Sequence, residues 1–223
     1  MGKRMFKIWM WERLFSDFGV FLRGFAVTVG VSVCALALTL VISLVVGLFR
    51  CSGNRALSAF SRGYMSFFQN TPLVVQIFFF YNVLPRLNVI LSPFAVGCFG
   101  LSLYTGAFGA AVVEAAVNAV PHGQLEAATS QGFGFLRTMF HIVLPQAMKV
   151  ALPPMTNQAV NLIKNSSVLA MIAGGELMYR ADSWASDSAV YGPTFVVTGL
   201  LYLSLCLPLS MAARKLEKKT RHP

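Results

Sequence analysis

The sequence is short of charge, and above all of acidic side chains. Only 12% of its 223 residues are charged, with 8 Asp and Glu against 18 Lys and Arg, whereas soluble domains carry about 25% charged residues. A water-soluble fold of this size would need more polar surface than the chain can supply. The low charge therefore excludes an ordinary soluble domain.

The signatures of common enzyme classes are also missing. The sequence has no G-x-x-x-x-G-K-[ST] loop, so we expect no ATP hydrolysis by that mechanism. It shows no paired carboxylates and no Ser-His arrangement on a plausible common face, and its three histidines are isolated. Its four cysteines lack metal-ligand spacing, and three of them lie in apolar runs, as small buried side chains would. We therefore predict neither an enzyme nor a metal site.

Long apolar runs dominate the sequence instead. Residues 24–49, 63–85, 87–113 and 188–213 are free of charge, and each exceeds the roughly 20 residues that an α-helix needs to cross a bilayer. Their apolarity is continuous rather than alternating, which disfavours a β-barrel. We predict an all-α membrane protein with five transmembrane helices near 20–49, 64–84, 93–117, 155–175 and 190–212. A basic amphipathic segment (1–19) precedes this domain, and a basic tail (213–223) follows it.

The basic residues indicate an orientation. They lie between the apolar runs, as beside anionic lipid headgroups, and form no single face for nucleic acid. Segments 50–62 and 121–154 and the tail are the most basic connections, so the positive-inside rule places them, and the C-terminus, in the cytoplasm. Five spans then put the basic N-terminus outside, against the rule; we follow the three agreeing segments. An odd number of spans argues against two inverted halves, so another subunit would complete a pore.

The segment 121–154 is too polar to span a membrane and too apolar for a free loop. Pro121 suits a helix start, and Gly132 can end that helix with a positive φ. A second helical stretch should stop at Pro145, and its apolar residues recur at helical spacing: Phe133, Leu136, Met139 and Phe140. The residues predict two short cytoplasmic helices joined at a glycine. They leave open whether this hairpin rests on lipid or binds a partner.

The spacing within this segment resembles the signature loop of ABC-importer permeases. Glu126-Ala127-Ala128 is followed after three residues by Gly132, and after nine more by Ile142-Val143-Leu144-Pro145. Segments 70–81, 152–157 and 161–167 are similar to motifs of the polar-amino-acid branch, so the resemblance covers roughly residues 63–177. The sequence departs from the family pattern in two respects. Ala111 and Glu114 align with the usual acidic and basic pair, and Gln69 stands where a basic residue is common.

The resemblance implies a membrane-spanning permease subunit that forms the translocation pathway for a polar amino acid. The residues implied to couple it to a separate ATPase are Glu126, Ala127, Ala128, Gly132, Ile142, Leu144 and Pro145. The implied partners are a cytoplasmic ATPase dimer that uses ATP–Mg, a second permease subunit (identical or paralogous), an extracytoplasmic amino-acid-binding protein and the lipid bilayer. The chain itself would bind no cofactor, and it would reside in the bacterial cytoplasmic membrane.

A polar stripe marks the fourth predicted span: Asn157, Asn161, Lys164 and Asn165. The spacing of i, i+4, i+7 and i+8 puts these side chains on one helical face. Such groups facing lipid would cost several kcal/mol, so the face should point into the bundle or a wet cavity. It would either line the substrate pathway or hold helices together by hydrogen bonds.

Three further acidic residues have open roles. We expect Glu114 to pair with Lys164, to reach the cytoplasmic interface or to line the pathway, with a structural role favoured. Glu176 and Asp182 lie in an external connection, where they are either solvated or in contact with a binding protein. A non-transporting membrane scaffold and a passive channel remain alternative functions, although neither requires both the complete loop spacing and the polar stripe.

Overall fold

The computed structural model describes residues 6–221, which are helical almost throughout and contain no strand within that range. Lys3 and Arg4 of the predicted N-terminal segment lie outside the described residues. The helices are α1 (Ile8–Ser16), α2 (Phe18–Cys51), α3 (Arg55–Asn70), α4 (Leu73–Asn82), α5 (Pro93–Asn118), α6 (His122–Ser130), α7 (Phe135–Thr138), α8 (Leu144–Asn165), α9 (Leu177–Ser188) and α10 (Tyr191–Arg221). Short 3₁₀ turns cover Leu84–Leu87 and Ser166–Ile172, and a π turn covers Met139–Val143.

Within residues 6–221, three helices are long and apolar enough to cross a membrane: α2, α5 and α10. They correspond to the first, third and fifth predicted spans, and their bounds agree with the prediction at nearly every end. The all-α, membrane-type architecture is therefore confirmed. The other two predicted spans take different forms.

The second predicted span is broken into α3 and α4 at Thr71–Pro72. Pro72 has no N–H and interrupts the backbone hydrogen bonds of the helix. Carbonyl groups near the break therefore need other partners. The Gln76 amide donates to the carbonyls of Phe68 (3.2 Å) and Thr71 (3.0 Å), and the Thr71 hydroxyl donates to the Phe67 carbonyl (2.7 Å). Local side chains therefore stabilise the interrupted helix.

The fourth predicted span is wrong at both ends. Helix α8 begins at Leu144, not near residue 155, and gives way to a 3₁₀ turn at Ser166. Pro145 lies in the first turn of α8, where a helix tolerates proline, whereas Pro153 and Pro154 lie inside the helix without ending it.

Helices α2 and α5 pack along most of their length and form the centre of the bundle. The two helices are in close contact at Gly47, where there is no room for a side chain. A Cβ at this position would lie 2.6 Å from the Val113 side chain. At the N-terminal end of α2, α1 and α9 share an apolar cluster with α10. At its C-terminal end, the 121–154 segment packs against Leu48 and Cys51. The hairpin and the α1–α9 pair thus lie at opposite ends of α2.

Candidate functional site

The polar stripe occupies the open face of α8. Asn157, Asn161 and Lys164 are exposed and Asn165 is half-buried. The opposite face is buried against the bundle through Ala159, Val160, Leu162 and Ile163, none more than 9% exposed. The surrounding helices therefore leave the amides and the ammonium free to meet a ligand or another subunit.

Part of this stripe lines a cavity of about 510 Å³ between α5 and α8. The α8 wall supplies Gln158, Asn161, Lys164 and Asn165, and the α5 wall supplies Tyr104, Thr105 and Phe108. The Tyr104 and Phe108 rings contact each other, with centroids 5.1 Å apart. No carboxylate is among these lining residues. The cavity thus joins one cation and three amides to an aromatic wall.

Two polar side chains of the cavity lining, Thr105 and Lys164, are placed where they could bind a ligand. The Thr105 hydroxyl is buried and has no hydrogen-bond partner among the described residues. Lys164 also lines a second cavity of about 320 Å³, bounded by Ser167 and by Met178, Phe195, Thr198, Gly199 and Tyr202 from α9 and α10. Lys164 therefore lies between two spaces, one toward α5 and one toward α9 and α10.

Glu114 does not pair with Lys164, contrary to one of the alternatives above. Its Oε1 lies 3.1 Å from the Arg50 Nε, and both side chains are partly buried. Arg50 also donates from Nη1 to the Ser58 hydroxyl at 3.0 Å. This ion pair joins the C-terminal end of α2 to α5 and α3, and Glu114 is absent from the lining of both Lys164 cavities.

Gly132 ends α6 with a positive φ of +78°. The Gly132 N–H bonds the Thr129 carbonyl (2.9 Å), and the Phe133 N–H bonds the Ala128 carbonyl (3.0 Å). This pair of bonds is the Schellman arrangement, which needs a left-handed residue at the turn. A Cβ on Gly132 would meet no atom within 4 Å. Within this chain, glycine is thus required by conformation and not by space.

The hairpin has one buried and one open face. Ala128 and Leu144 are buried and Ile142 is half-buried, whereas Glu126, Ala127 and Pro145 are exposed. In the second half, Met139 packs into the bundle, but Leu136 and Phe140 are 68% and 56% exposed. The expected stop at Leu144–Pro145 is wrong, since the π turn runs directly into α8. The wider π turn accommodates Pro145, which supplies no N–H.

Glu176 is fully buried, so the expectation of a solvated charge is wrong. Its carboxylate accepts from the N–H groups of Met178 (2.6 Å) and Tyr179 (2.8 Å) at the start of α9, and from the Tyr202 hydroxyl (3.0 Å). Burial raises the pKa of this carboxyl above its ordinary value of 4.5, against the lowering effect of the three hydrogen bonds. Asp182, by contrast, is exposed.

Sequence reasoning missed the α5 wall and Gln158. The signal for the α5 wall was the i, i+4 pair Tyr104 and Phe108 beside Thr105, but aromatics in an apolar run usually pack in a core. Gln158 lies beside the predicted stripe around the helix, at position i+1, which the spacing of i, i+4, i+7 and i+8 leaves out.

Comparisons with known proteins show the family and the fold. A family described as "Binding-protein-dependent transport system inner membrane component" matches residues 39–222. The probable glutamine ABC transporter permease protein GlnM of Bacillus subtilis is 40% identical over 206 residues, covering 92% of this chain and 95% of the relative. The putative glutamine transport system permease protein GlnP of Rickettsia bellii is 36% identical and covers 88% and 90%. A crystal structure of an amino acid ABC transporter with histidines superposes with a TM-score of 0.84 at 25% identity, covering 93% and 97%.

Proposed function

Because the chain belongs to the family of binding-protein-dependent transport system inner membrane components, we propose that it carries a neutral, amide-bearing amino acid through the cavity beside Lys164. It is a membrane permease subunit of an ABC importer, a class without an ATPase site of its own. The cavity lining, with one ammonium, three amides and no carboxylate, is the observation that carries the proposal.

Charge complementarity favours this substrate class. The Lys164 ammonium would pair with the substrate's α-carboxylate in a charge-assisted bond. The rings of Tyr104 and Phe108 offer faces to the α-ammonium, and the amides of Asn161 and Gln158 match an amide side chain. A cationic side chain would meet Lys164 with no lining carboxylate to offset the repulsion. The two relatives named for glutamine support the same substrate class.

The proposed topology has five membrane crossings, with the second made of α3 and α4 and the fourth made of α8. The C-terminus and the hairpin lie in the cytoplasm, and the N-terminus and α9 lie outside. The positions of the hairpin and of the α1–α9 pair at opposite ends of α2 support this arrangement. A second permease subunit, identical or paralogous, would complete the pathway opposite the open face of α8. Asn157, the stripe residue outside the cavity lining, would lie near that subunit.

In this proposal the hairpin docks on a cytoplasmic ATPase dimer that uses ATP–Mg, and an extracytoplasmic binding protein delivers the substrate. The exposed Glu126 and Ala127 and the open Leu136 and Phe140 form the docking face. The buried Ala128 and Leu144, the half-buried Ile142 and the turn at Gly132 hold that face to the bundle. Pro145 joins it to α8.

The test is Lys164→Met in the complex reconstituted in vesicles, with Lys164→Arg as the charge-retaining control. The loss of a charge-assisted hydrogen bond weakens substrate binding by about 1.5–3 kcal/mol. We therefore expect glutamine uptake to fall by about tenfold or more. Lys164→Arg should keep most of the uptake, and the assembled complex should be stable in both variants. Unchanged uptake by Lys164→Met would refute the pathway role. Failure to assemble would instead support the helix-to-helix bonding role of the stripe.

A further inference from the structure

Helix α1 has three distinct faces. Leu14 is fully buried and Met10 is partly buried, and both pack into the cluster shared with α9 and α10. Glu12, Arg13 and Ser16 form a mainly polar, exposed side, which also carries Trp9 at 46% exposure. The third face is apolar and carries Ile8, Trp11 and Phe15 at i, i+3 and i+7.

The third face is open. Ile8 is 77% exposed and Phe15 is 60% exposed. Trp11 is half-buried at the edge of this face, where it packs against the cluster of Leu14 and stacks on Phe15 with centroids 6.3 Å apart. Phe6, just before the helix, is also exposed. An apolar stripe of this kind on a nine-residue helix would be unfavourable in water, at about 25 cal/mol for each Å² of apolar surface.

This stripe continues onto the surface of α2. The ring of Phe15 lies 6.1 Å from that of Phe18, which is half-buried at the start of α2. Leu22, in the first turns of α2, is 49% exposed. Since α2 is a candidate membrane span with many exposed apolar side chains, the medium that covers its outer surface also reaches the apolar face of α1. That continuity favours lipid over a protein partner.

We propose that α1 lies in the boundary between lipid headgroups and acyl chains, with Ile8, Trp11 and Phe15 in the lipid. Its polar face then points to water, and the cations of Lys7 and Arg13 reach lipid phosphates. This placement also accounts for basic residues on the outer side, because they act as interfacial anchors.

The anchor is tied to the external helix α9. The Trp184 Nε1 of α9 donates to the Asp17 Oδ2 between α1 and α2 at 3.0 Å, and Leu14 packs in the same cluster as Leu177 and Trp184. The Leu177 N–H in turn donates to the Thr28 hydroxyl of α2 at 3.0 Å. The lipid-bound α1 therefore fixes the depth of α9 at the outer end of the bundle.

The experiment is spin-label accessibility in the full transporter, reconstituted in phosphatidylethanolamine–phosphatidylglycerol vesicles without the binding protein. The native cysteines are replaced by alanine in a background that retains stimulated ATP hydrolysis. Single cysteines then replace Ile8 or Phe15 on the apolar face, and Glu12 or Ser16 on the polar face. The pair at 15 and 16 is matched, since both positions are exposed neighbours. Ile8 provides a second apolar position if labelling at 15 disturbs the fold.

Labels at 8 and 15 should collide more often with oxygen, which partitions into lipid, than with a water-soluble nickel chelate. Labels at 12 and 16 should show the reverse preference. Equal access of the nickel chelate to all four labels would overturn the proposal, because α1 would then stand in water. Shielding of labels 8 and 15 from both reagents would also overturn it, since a protein surface would be covering them.

Discussion

The turn at Gly132 allows a sharp test of the coupling role proposed for the hairpin. The residue holds a φ of +78°, and its missing Cβ would meet no atom of this chain within 4 Å. Gly132→Ala therefore introduces a backbone cost without a steric clash inside the subunit. For an L-residue in the left-handed region this cost is about 1–2 kcal/mol. The population of correctly turned hairpins should fall by about 5–30-fold relative to misturned ones.

Two further variants separate conformation from contact. Asn tolerates the left-handed region better than other residues with a Cβ, so Gly132→Asn should recover most of the loss if φ is what matters. Gly123→Ala is the matched control, because Gly123 has open space, an ordinary φ and a helical position. We expect this control to behave like the wild type or to be slightly more stable.

The assays are co-purification of the ATPase subunit and substrate-stimulated hydrolysis in vesicles. Reduced coupling in Gly132→Ala with recovery in Gly132→Asn would support the conformational argument. Loss in both variants would instead place the ATPase surface against the glycine itself. Full retention of binding and stimulation in Gly132→Ala, and in a bulky Gly132→Leu, would refute the claim that this loop links the subunits.

Two other predictions follow from buried charge. The raised pKa of Glu176 means that its protonated form favours folding: its stabilising contribution is complete below pH 4.5 and is lost as the pH rises through the higher folded-state pKa. Glu176→Gln should therefore raise the Tm relative to wild type increasingly from acid to neutral pH, and a pH-independent difference would contradict this. For Arg50 and Glu114, a double-mutant cycle with Arg50→Met and Glu114→Gln should give a coupling of about 1 kcal/mol, because both side chains are partly exposed. A change in substrate preference without such coupling would return Glu114 to the pathway.

The sequence was most informative where apolar length alone decides the structure. The spans assigned to 20–49 and 93–117 correspond to Phe18–Cys51 and Pro93–Asn118, since a charge-free run of that length has few alternatives to a membrane helix. The family resemblance is confirmed and extends further than its motifs suggested, to residues 39–222.

Proline and burial were harder to predict. Thr71–Pro72 breaks a helix, whereas Pro153 and Pro154 do not end α8. Side-chain donors do not explain this difference, because Gln76 donates to the Phe68 carbonyl that Pro72 leaves without an N–H, yet the helix breaks there. Glu176 was misjudged because its burial and its bond from the Tyr202 hydroxyl, 26 residues away, depend on the fold, although its capping bonds from Met178 and Tyr179 are local.

The corrected start of α8 changes how the two parts of the proposed site are connected. A helix starting near residue 155 would leave a break between the hairpin and the polar stripe. The observed helix has 22 residues, or about 33 Å at 1.5 Å per residue, and it begins at the last residues of the coupling signature. Lys164 lies in its final turn. Any displacement of the hairpin that leaves α8 intact must therefore also move the ammonium that borders both cavities.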